Sequence, residues 1–400
     1  VAKLFSKEKF RCASALSKDK NTLEVAGMFF HVLMTTNCDL KCRYCYEKSC
    51  EDIDADFGDF KVDYSVPAAI SYDIGLLKKF CEKDPELALI FYGGEPMLCI
   101  DEIRQIMDNV TTKQFVIQTN GLHLNRLEPE YVNRLSTIFV SLDGDEKLTD
   151  FYRGRGVYRR VIDNVKLIRR NGFEGEVIAR MTVMEETDIY ESVRWLLHIP
   201  NYVFSSVHWQ LDAGFWKNDF SRRPFAKWIE ENYNPQLNRL VEFWVNSMDR
   251  EGKVLRLYPL LGVMYSLLRE EESLLRCGSG WANYSIQTDG HIIPCPVMSG
   301  MKGYYLGHIQ DSHPLQLERV TVEHPCNACE ILGECGGRCL YANITKRWSN
   351  EAYSLVCKTV RNLVESLRVT LPRVKKLIAE GKIGLSDFDY AKYNSCEVIP

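Results

Sequence analysis

The chain has no apolar run near the ~18 residues that a membrane span needs. Val1 to Lys20 is basic but lacks the apolar core of a secretory signal. Charge of one sign is missing too: 50 Lys and Arg stand against 54 Asp and Glu, a net of −4. A balance so near neutral leaves no electrostatic footprint for DNA or RNA. The 8 histidines form no metal-spaced pair, and there is no internal repeat. Membrane, secreted, nucleic-acid-binding, collagenous and disordered classes are set aside, and a cytoplasmic location is expected. What remains is an ordinary globular balance, 46% apolar and 26% charged, over 400 residues. That is too much chain for one small domain.

The excess is cysteine, 15 in all. A chain of this length closes its core without disulfides, so many thiols in a reducing compartment point to metal or redox chemistry. Cys38, Cys42 and Cys45 form C-x3-C-x2-C. Cys277 and Cys295 come much later, then Cys326, Cys329, Cys335 and Cys339 as C-x2-C-x5-C-x3-C, then Cys357. The single cysteines Cys12, Cys50, Cys81, Cys99 and Cys396 read as small buried apolar residues. Between the two blocks, residues 46–276 hold only Cys50, Cys81 and Cys99. Two domains are expected, each with its own metal centre.

From Met28 the chain alternates short apolar runs with amphipathic stretches. GMFFHVLMTT, LALIFYGGEP, KQFVIQTNG, TIFVSLDG, EVIARMTV and SSVHWQLDA read as strands, while DEIRQIMDNV, EYVNRLS, GVYRRVIDNVKLIRRNG and ESVRWLLHI read as helices. This predicts a parallel sheet with crossover helices over residues 28–224, behind an extension at 1–27. Residues 225–276 predict a helical bridge, including LLGVMYSLLREEESLL. Residues 277–365 form a Gly-, Pro- and Cys-rich unit with one hairpin around Asp289-Gly290, a pair that suits a type I′ turn. That unit is expected to hold too little apolar content for a core and to be organised by metal. Residues 366–400 form a terminal helix and tail, the amphipathic helix running over 358–384. The acidic stretch Glu51 to Asp63 reads as a solvated loop. In β/α arrays function gathers at the carboxyl ends of strands. Cys38–Cys45, Gly93-Gly94-Glu95, Thr119-Asn120 and Ser141-Leu142-Asp143-Gly144 all fall there.

Three thiolates within eight residues can hold three corners of a four-iron cluster and leave one iron open. A structural zinc would want a fourth ligand nearby, and Cys50 follows no familiar zinc spacing. Open cluster, zinc and metal-free thiols are the three readings of the spacing itself.

With these motifs in order, the chain resembles the radical S-adenosylmethionine (SAM) superfamily. C38-x3-C42-x2-C45, with Tyr44 before the last cysteine, resembles that family's cluster loop. Gly93-Gly94-Glu95 resembles its GGE turn, which meets the cofactor's amino group. Ser141-x-Asp143-Gly144 and Asp150-x-x-Arg153 resemble the segment that meets ribose and carboxylate. The resemblance implies that Glu95 accepts the cofactor ammonium, Arg153 pairs with its carboxylate, and Thr119 and Asn120 line the pocket or form a plain turn. It also implies reductive cleavage of SAM to a 5′-deoxyadenosyl radical that abstracts hydrogen from a substrate.

The second block resembles the SPASM domain, which carries two auxiliary [4Fe-4S] clusters, three clusters in all. By that resemblance Cys277, Cys295 and Cys339 hold the first, and Cys326, Cys329, Cys335 and Cys357 the second. The first is then one ligand short, to be left open, filled by substrate, or completed by a stray such as Cys396. A structural zinc on the second block is the alternative. The implied fold is a partial (β/α)6 radical SAM barrel, a helical bridge and a C-terminal cysteine-rich SPASM domain.

The likeness is nearest to enzymes that modify peptides or proteins, by thioether or carbon–carbon cross-links or by oxidation, including a branch found in archaea. It implies a peptide or protein substrate and an external one-electron donor of ferredoxin or flavodoxin type. Only 27 residues precede the first strand, so leader recognition would use another surface or a separate protein. Pro296 follows Cys295 where the sulfatase-maturing branch places an aspartate, and Asp289 is a substitute base to test. The competing readings are a radical enzyme for a small metabolite, an iron–sulfur electron-transfer module, and a zinc protein. Trp209, Trp216 and Tyr284 are read as substrate-stacking or core, and His324 as a solvated loop residue.

Overall fold

A computed structural model of the chain describes residues 27–45, 60–199, 203–215 and 219–395. Residues 1–26 of the expected extension, Cys12, Cys50, Cys396, Trp216 and most of the acidic stretch lie outside the described residues. Strand β1 (Phe29–Thr35) is buried at every position. A strand apolar along its whole length suits the middle of a parallel sheet, covered on both faces. It pairs in parallel with β2 (Ala88–Gly93) on one side and β7 (Asn283–Ile286) on the other. Beyond β2 come β3 (Gln114–Thr119), β4 (Leu135–Ser141), β5 (Glu176–Val183) and β6 (Ser206–Leu211), all parallel. Beyond β7, β8 (His291–Ile293) and β9 (Gly307–His308) run antiparallel. The order is β6-β5-β4-β3-β2-β1-β7-β8-β9, so the array is open between β6 and β9.

Helices α1 (Ile74–Cys81), α2 (Ile100–Asn109), α3 (Pro129–Val132), α4 (Glu146–Arg153), α5 (Val157–Arg170) and α6 (Ile189–Leu197) fall between successive strands. Their apolar faces join Phe30, Val32, Leu89, Phe91 and Ile117 in the main core. The alternate residues Phe29, Ala88, Ile90, Val116, Phe139 and Ile178 form a second, inner cluster with Tyr258. Both faces being apolar explains why these strands read as unbroken runs. α7 (Phe225–Trp228) leads through a π-turn into α8 (Asn234–Glu251), and α9 (Tyr258–Arg269) follows. The cysteine-rich part adds α10 (Leu332–Cys335), α11 (Leu340–Thr345) and α12 (Asn350–Ala379), the last packing on α8 and α9.

Several expectations are corrected. EYVNRLS is helical only through Val132, because Leu135 already pairs with Phe115 in the sheet. α9 stops before Glu270, where φ is +55° and three consecutive acids would oppose the helix dipole. α12 starts at Asn350 rather than 358, because Ser349 Oγ accepts the Ala352 N–H as a cap, and it ends at Ala379. The cysteine-rich part has an apolar core of its own, with Leu275, Trp281, Met298, Met301, Leu340 and Tyr341 buried together. Its large apolar residues stand singly between glycines and prolines, and contact depends on β7 joining β1. The hairpin turn is not type I′: Gly290 alone has positive φ (+92°), and its N–H donates to the Gln287 carbonyl at 2.9 Å.

The base of the barrel is closed by the segment after α12. Tyr390 and Tyr393 pack against the inner cluster, Tyr393 meets the Trp281 ring edge-on at 4.5 Å, and Asn283 Nδ2 donates to the Tyr393 carbonyl at 2.9 Å.

Candidate active site

The cluster loop leaves β1 at Thr35 and is clamped from the side. Gly94 N–H donates to the Thr35 carbonyl at 2.7 Å, and Glu95 N–H to the Asn37 carbonyl at 2.9 Å. A Cβ on Gly93 would stand 2.2 Å from the Thr35 carbonyl oxygen, and one on Gly94 2.3 Å from that of Asn37. The glycine pair therefore permits backbone-to-backbone contact that no side chain would.

Glu95 is fully buried. Its carboxylate accepts from Met97 N–H at 3.0 Å, Thr119 Oγ at 2.7 Å and Asn120 N–H at 2.6 Å. Burial pushes it up to about 7, those three donors pulling the other way. Asn120 Nδ2 in turn donates to Asp39 Oδ1 in the cluster loop at 2.8 Å. Glu95 thus ties the ends of β2 and β3 together.

Asp143 is likewise fully buried. It accepts from Tyr44 Oη at 2.7 Å, from Arg153 Nε and Nη2 at 2.8 and 3.1 Å, and from Thr182 N–H at 3.0 Å. Burial opposes the charge on Arg153, and Asp143 beside it more than restores it. Neither Glu95 nor Asp143 lines the cavity in front of these motifs. Both stand behind its wall and fix what does.

The cavity, about 200 Å³, runs between the two cysteine blocks. One end is lined by Cys38, Cys42, Tyr44, Cys45, Gly93 and Gly94, with Thr119, Asn120, Ser141 and Arg153 beside them. The other end is lined by Cys277, Cys295 and Cys339, with Ser279 and Arg338. Leu40 N–H donates to Cys38 Sγ at 3.5 Å. Burial pushes the Cys38 thiol up to about 12, with Glu95 and Cys42 adding to it.

The seven later cysteines sort into two sets by their influence on one another. Burial first, then Cys339 and Cys277, raises Cys295. Burial and then Cys326 raise both Cys335 and Cys357, while Cys329 acts on Cys326 and Cys357. These are the sets 277/295/339 and 326/329/335/357. Among the described residues, no three His, Cys, Asp or Glu side chains gather around a single metal ion. A cubane held at its corners does not require that.

The rest of the cavity wall carries no sequence motif. Tyr92, Gln118, Arg180, Thr182, Gln210 and Asp212 line it. The signal was a polar residue at inward positions of apolar strands, such as Arg180 in EVIARMTV and Gln210 in SVHWQL. Asp289 lies elsewhere, its carboxylate spent on His291 N–H at 3.1 Å and the His291 ring at 2.9 Å. Trp209 and Tyr284 are core residues: the indole N–H of Trp209 donates to Tyr233 Oη at 3.2 Å, and Tyr284 stacks on Phe30. His324 is exposed.

Residues 32–196 match the family model of the radical SAM superfamily. The radical SAM cyclopropyl synthase TigE of Paramaledivibacter caminithermalis is 21% identical over 349 residues, 80% of this chain and 69% of that protein. A cysteine-type anaerobic sulfatase-maturating enzyme of Clostridium perfringens is 20% identical over 360 residues, 83% of this chain and 93% of the relative. Among solved structures, native anSMEcpe with bound AdoMet and the Cp18Cys peptide superposes with a TM-score of 0.63 at 17% identity, covering 88% of this chain and 99% of that one. The chain therefore carries a radical SAM domain, on a parallel α/β sheet that continues into a cysteine-rich C-terminal region.

Proposed function

We propose that this chain is a SAM-dependent radical enzyme that installs a modification on a peptide or protein. The observation that carries this reading is the single cavity with a cysteine group at each end and polar side chains between. Cys38, Cys42 and Cys45 would hold a four-iron cluster by three corners. The fit is favourable: all three face one cavity, and the Leu40 N–H is placed to support a thiolate on Cys38. When bound, cluster and cofactor supply one-electron cleavage of SAM and hydrogen abstraction from the substrate.

The protein's part is to seat and orient. Arg153 gives Nε and Nη2 to Asp143, which leaves Nη1 for a cofactor carboxylate. Tyr44, Ser141, Thr119, Asn120 and the Gly93-Gly94 backbone line the same end. Glu95 holds three donors inside the wall, so it positions the turn rather than receiving the ammonium. Cys277, Cys295 and Cys339 would hold one auxiliary cluster and Cys326, Cys329, Cys335 and Cys357 another, with electrons entering from a ferredoxin- or flavodoxin-type donor. No disulfide joins the described cysteines, which suits a cytoplasmic setting. No helix among the described residues is long and apolar enough to cross a membrane. Relatives that act on peptides support the substrate class. One feature favours a second reading, a small metabolite: Tyr390–Ser395 closes the base of the barrel.

The test follows deuterium. Anaerobically reduced enzyme and SAM are incubated with size-fractionated extract of cells grown on deuterated amino acids. Labelled 5′-deoxyadenosine is expected from a peptide or protein fraction and should disappear in Cys38→Ala. Label from small molecules alone would select the second reading. Absence of 5′-deoxyadenosine altogether would overturn both and leave an electron-transfer module or a zinc protein.

A further inference from the structure

We infer that Arg180 is the counter-ion for a carboxylate on the substrate, held in the middle of the cavity between the two cysteine groups. This rests on the substrate reading above and narrows it to a carboxylate-bearing one. Arg180 comes from the inner face of β5, is only 9% exposed, and lines the cavity. Its recorded partners are neutral. Nη1 donates to the Ser395 carbonyl at 3.0 Å and Nη2 to Gln210 Oε1 at 3.2 Å. Among the described residues it makes no ion pair. A guanidinium taken out of water without an opposite charge is costly, and the cost falls when an anion arrives.

Two other charges on this wall are already matched. Arg153 is forked onto Asp143, and Asp212 lies 3.2 Å from Arg223. Arg338, at the Cys339 end, donates to the Leu211 and Ala213 carbonyls at 3.4 Å and, like Arg180, makes no ion pair among the described residues. His31 and His208 flank Arg180 within the barrel. Burial first, and then the charge on Arg180, holds both rings uncharged, His31 down to about 4. Neither supplies a negative charge, and neither competes for one. Among the described residues Arg180 is thus one of two unmatched cations of the cavity, and the one carried on the inner face of the sheet. A planar fork suits a carboxylate, from an acidic side chain or from a chain terminus.

The experiment uses the cluster-loaded, SAM-bound protein and three probes: N-acetylglutamate N-methylamide, its glutamine isostere, and N-acetylalanine with a free carboxylate. Equilibrium dialysis should show a carboxylate probe binding about tenfold or more tighter than the glutamine isostere. The tighter of the two acids identifies a side-chain or a terminal carboxylate. Arg180→Gln should erase the preference, and Arg180→Lys should keep part of it, with iron content showing that each variant is folded. Equal binding of all probes, no binding of any, or a preference that survives Arg180→Gln overturns the proposal. So does an Arg180→Gln protein that binds SAM more weakly while its probe preference is unmoved, since the guanidinium would then serve the cofactor. Formation of 5′-deoxyadenosine by the wild-type protein is read separately, so failure of the radical reading is distinguishable from failure of this one.

Discussion

Arg223 serves three carboxylates at once. Glu185 takes the fork, at 2.8 Å to Nε and 3.1 Å to Nη2, while Asp219 and Asp212 share Nη1 at 3.0 and 3.2 Å. Asp212 is the most buried of the three, 5% exposed, and has the smallest share of the cation. Burial pushes it up to about 7 from 3.8, Arg223 pulling down and Asp219 and Glu185 pushing up, with Arg338 also lowering it. A folded-state value above the unfolded one means that folding takes up a proton between the two. Its stabilising effect is complete below 3.8 and is lost as pH rises through 7. The stability of the wild type relative to Asp212→Asn, from urea unfolding at a series of pH values, should fall across that window. A flat difference would mean that Asp212 stays ionised throughout. Nothing in QLDAGF announces this group, because its environment comes from turns and loops met only in the fold.

At the scale of elements, the junction of β1 and β2 decides whether the cluster loop is held. Gly94→Ala would drive a Cβ into the Asn37 and Thr36 carbonyl oxygens, at 2.3 and 2.6 Å, both backbone and unable to swing aside. A cost of about 1–3 kcal/mol is expected, with iron bound at the first cysteine group lost in parallel. Full iron content in purified Gly94→Ala would contradict it. The six parallel strands were legible because each is a short, mostly apolar run, and the first four end on a motif. α1 was not legible, although Asp73 caps it by accepting the Gly75 N–H. The pairing of β7 with β1 left no local trace, since NYSI has only four residues and gains its register from a strand 254 positions earlier, as Phe29 opposite Asn283 shows. The cysteines were legible as a set because spacing is local. The polar middle of the cavity was not, because a lone Arg or Gln in a strand acquires meaning only once six strands curve around it.

For the whole molecule, three clusters held by separate cysteine sets, as proposed, would load separably. Cys326→Ala should lower acid-labile sulfide by about a third, the share of one four-iron cluster in three, in anaerobically purified protein. Loss of nearly all sulfide would instead mean that the clusters assemble as one unit. The sheet itself limits how a substrate can arrive. β1 is hydrogen-bonded to the barrel on one flank and to the cysteine-rich part on the other. The two halves are therefore leaves bound to one spine, and swinging them apart would tear the ladder along that spine. A guest therefore has to enter with that spine intact, past the loops at the rim or through the gap between β6 and β9, as a cord enters an eyelet.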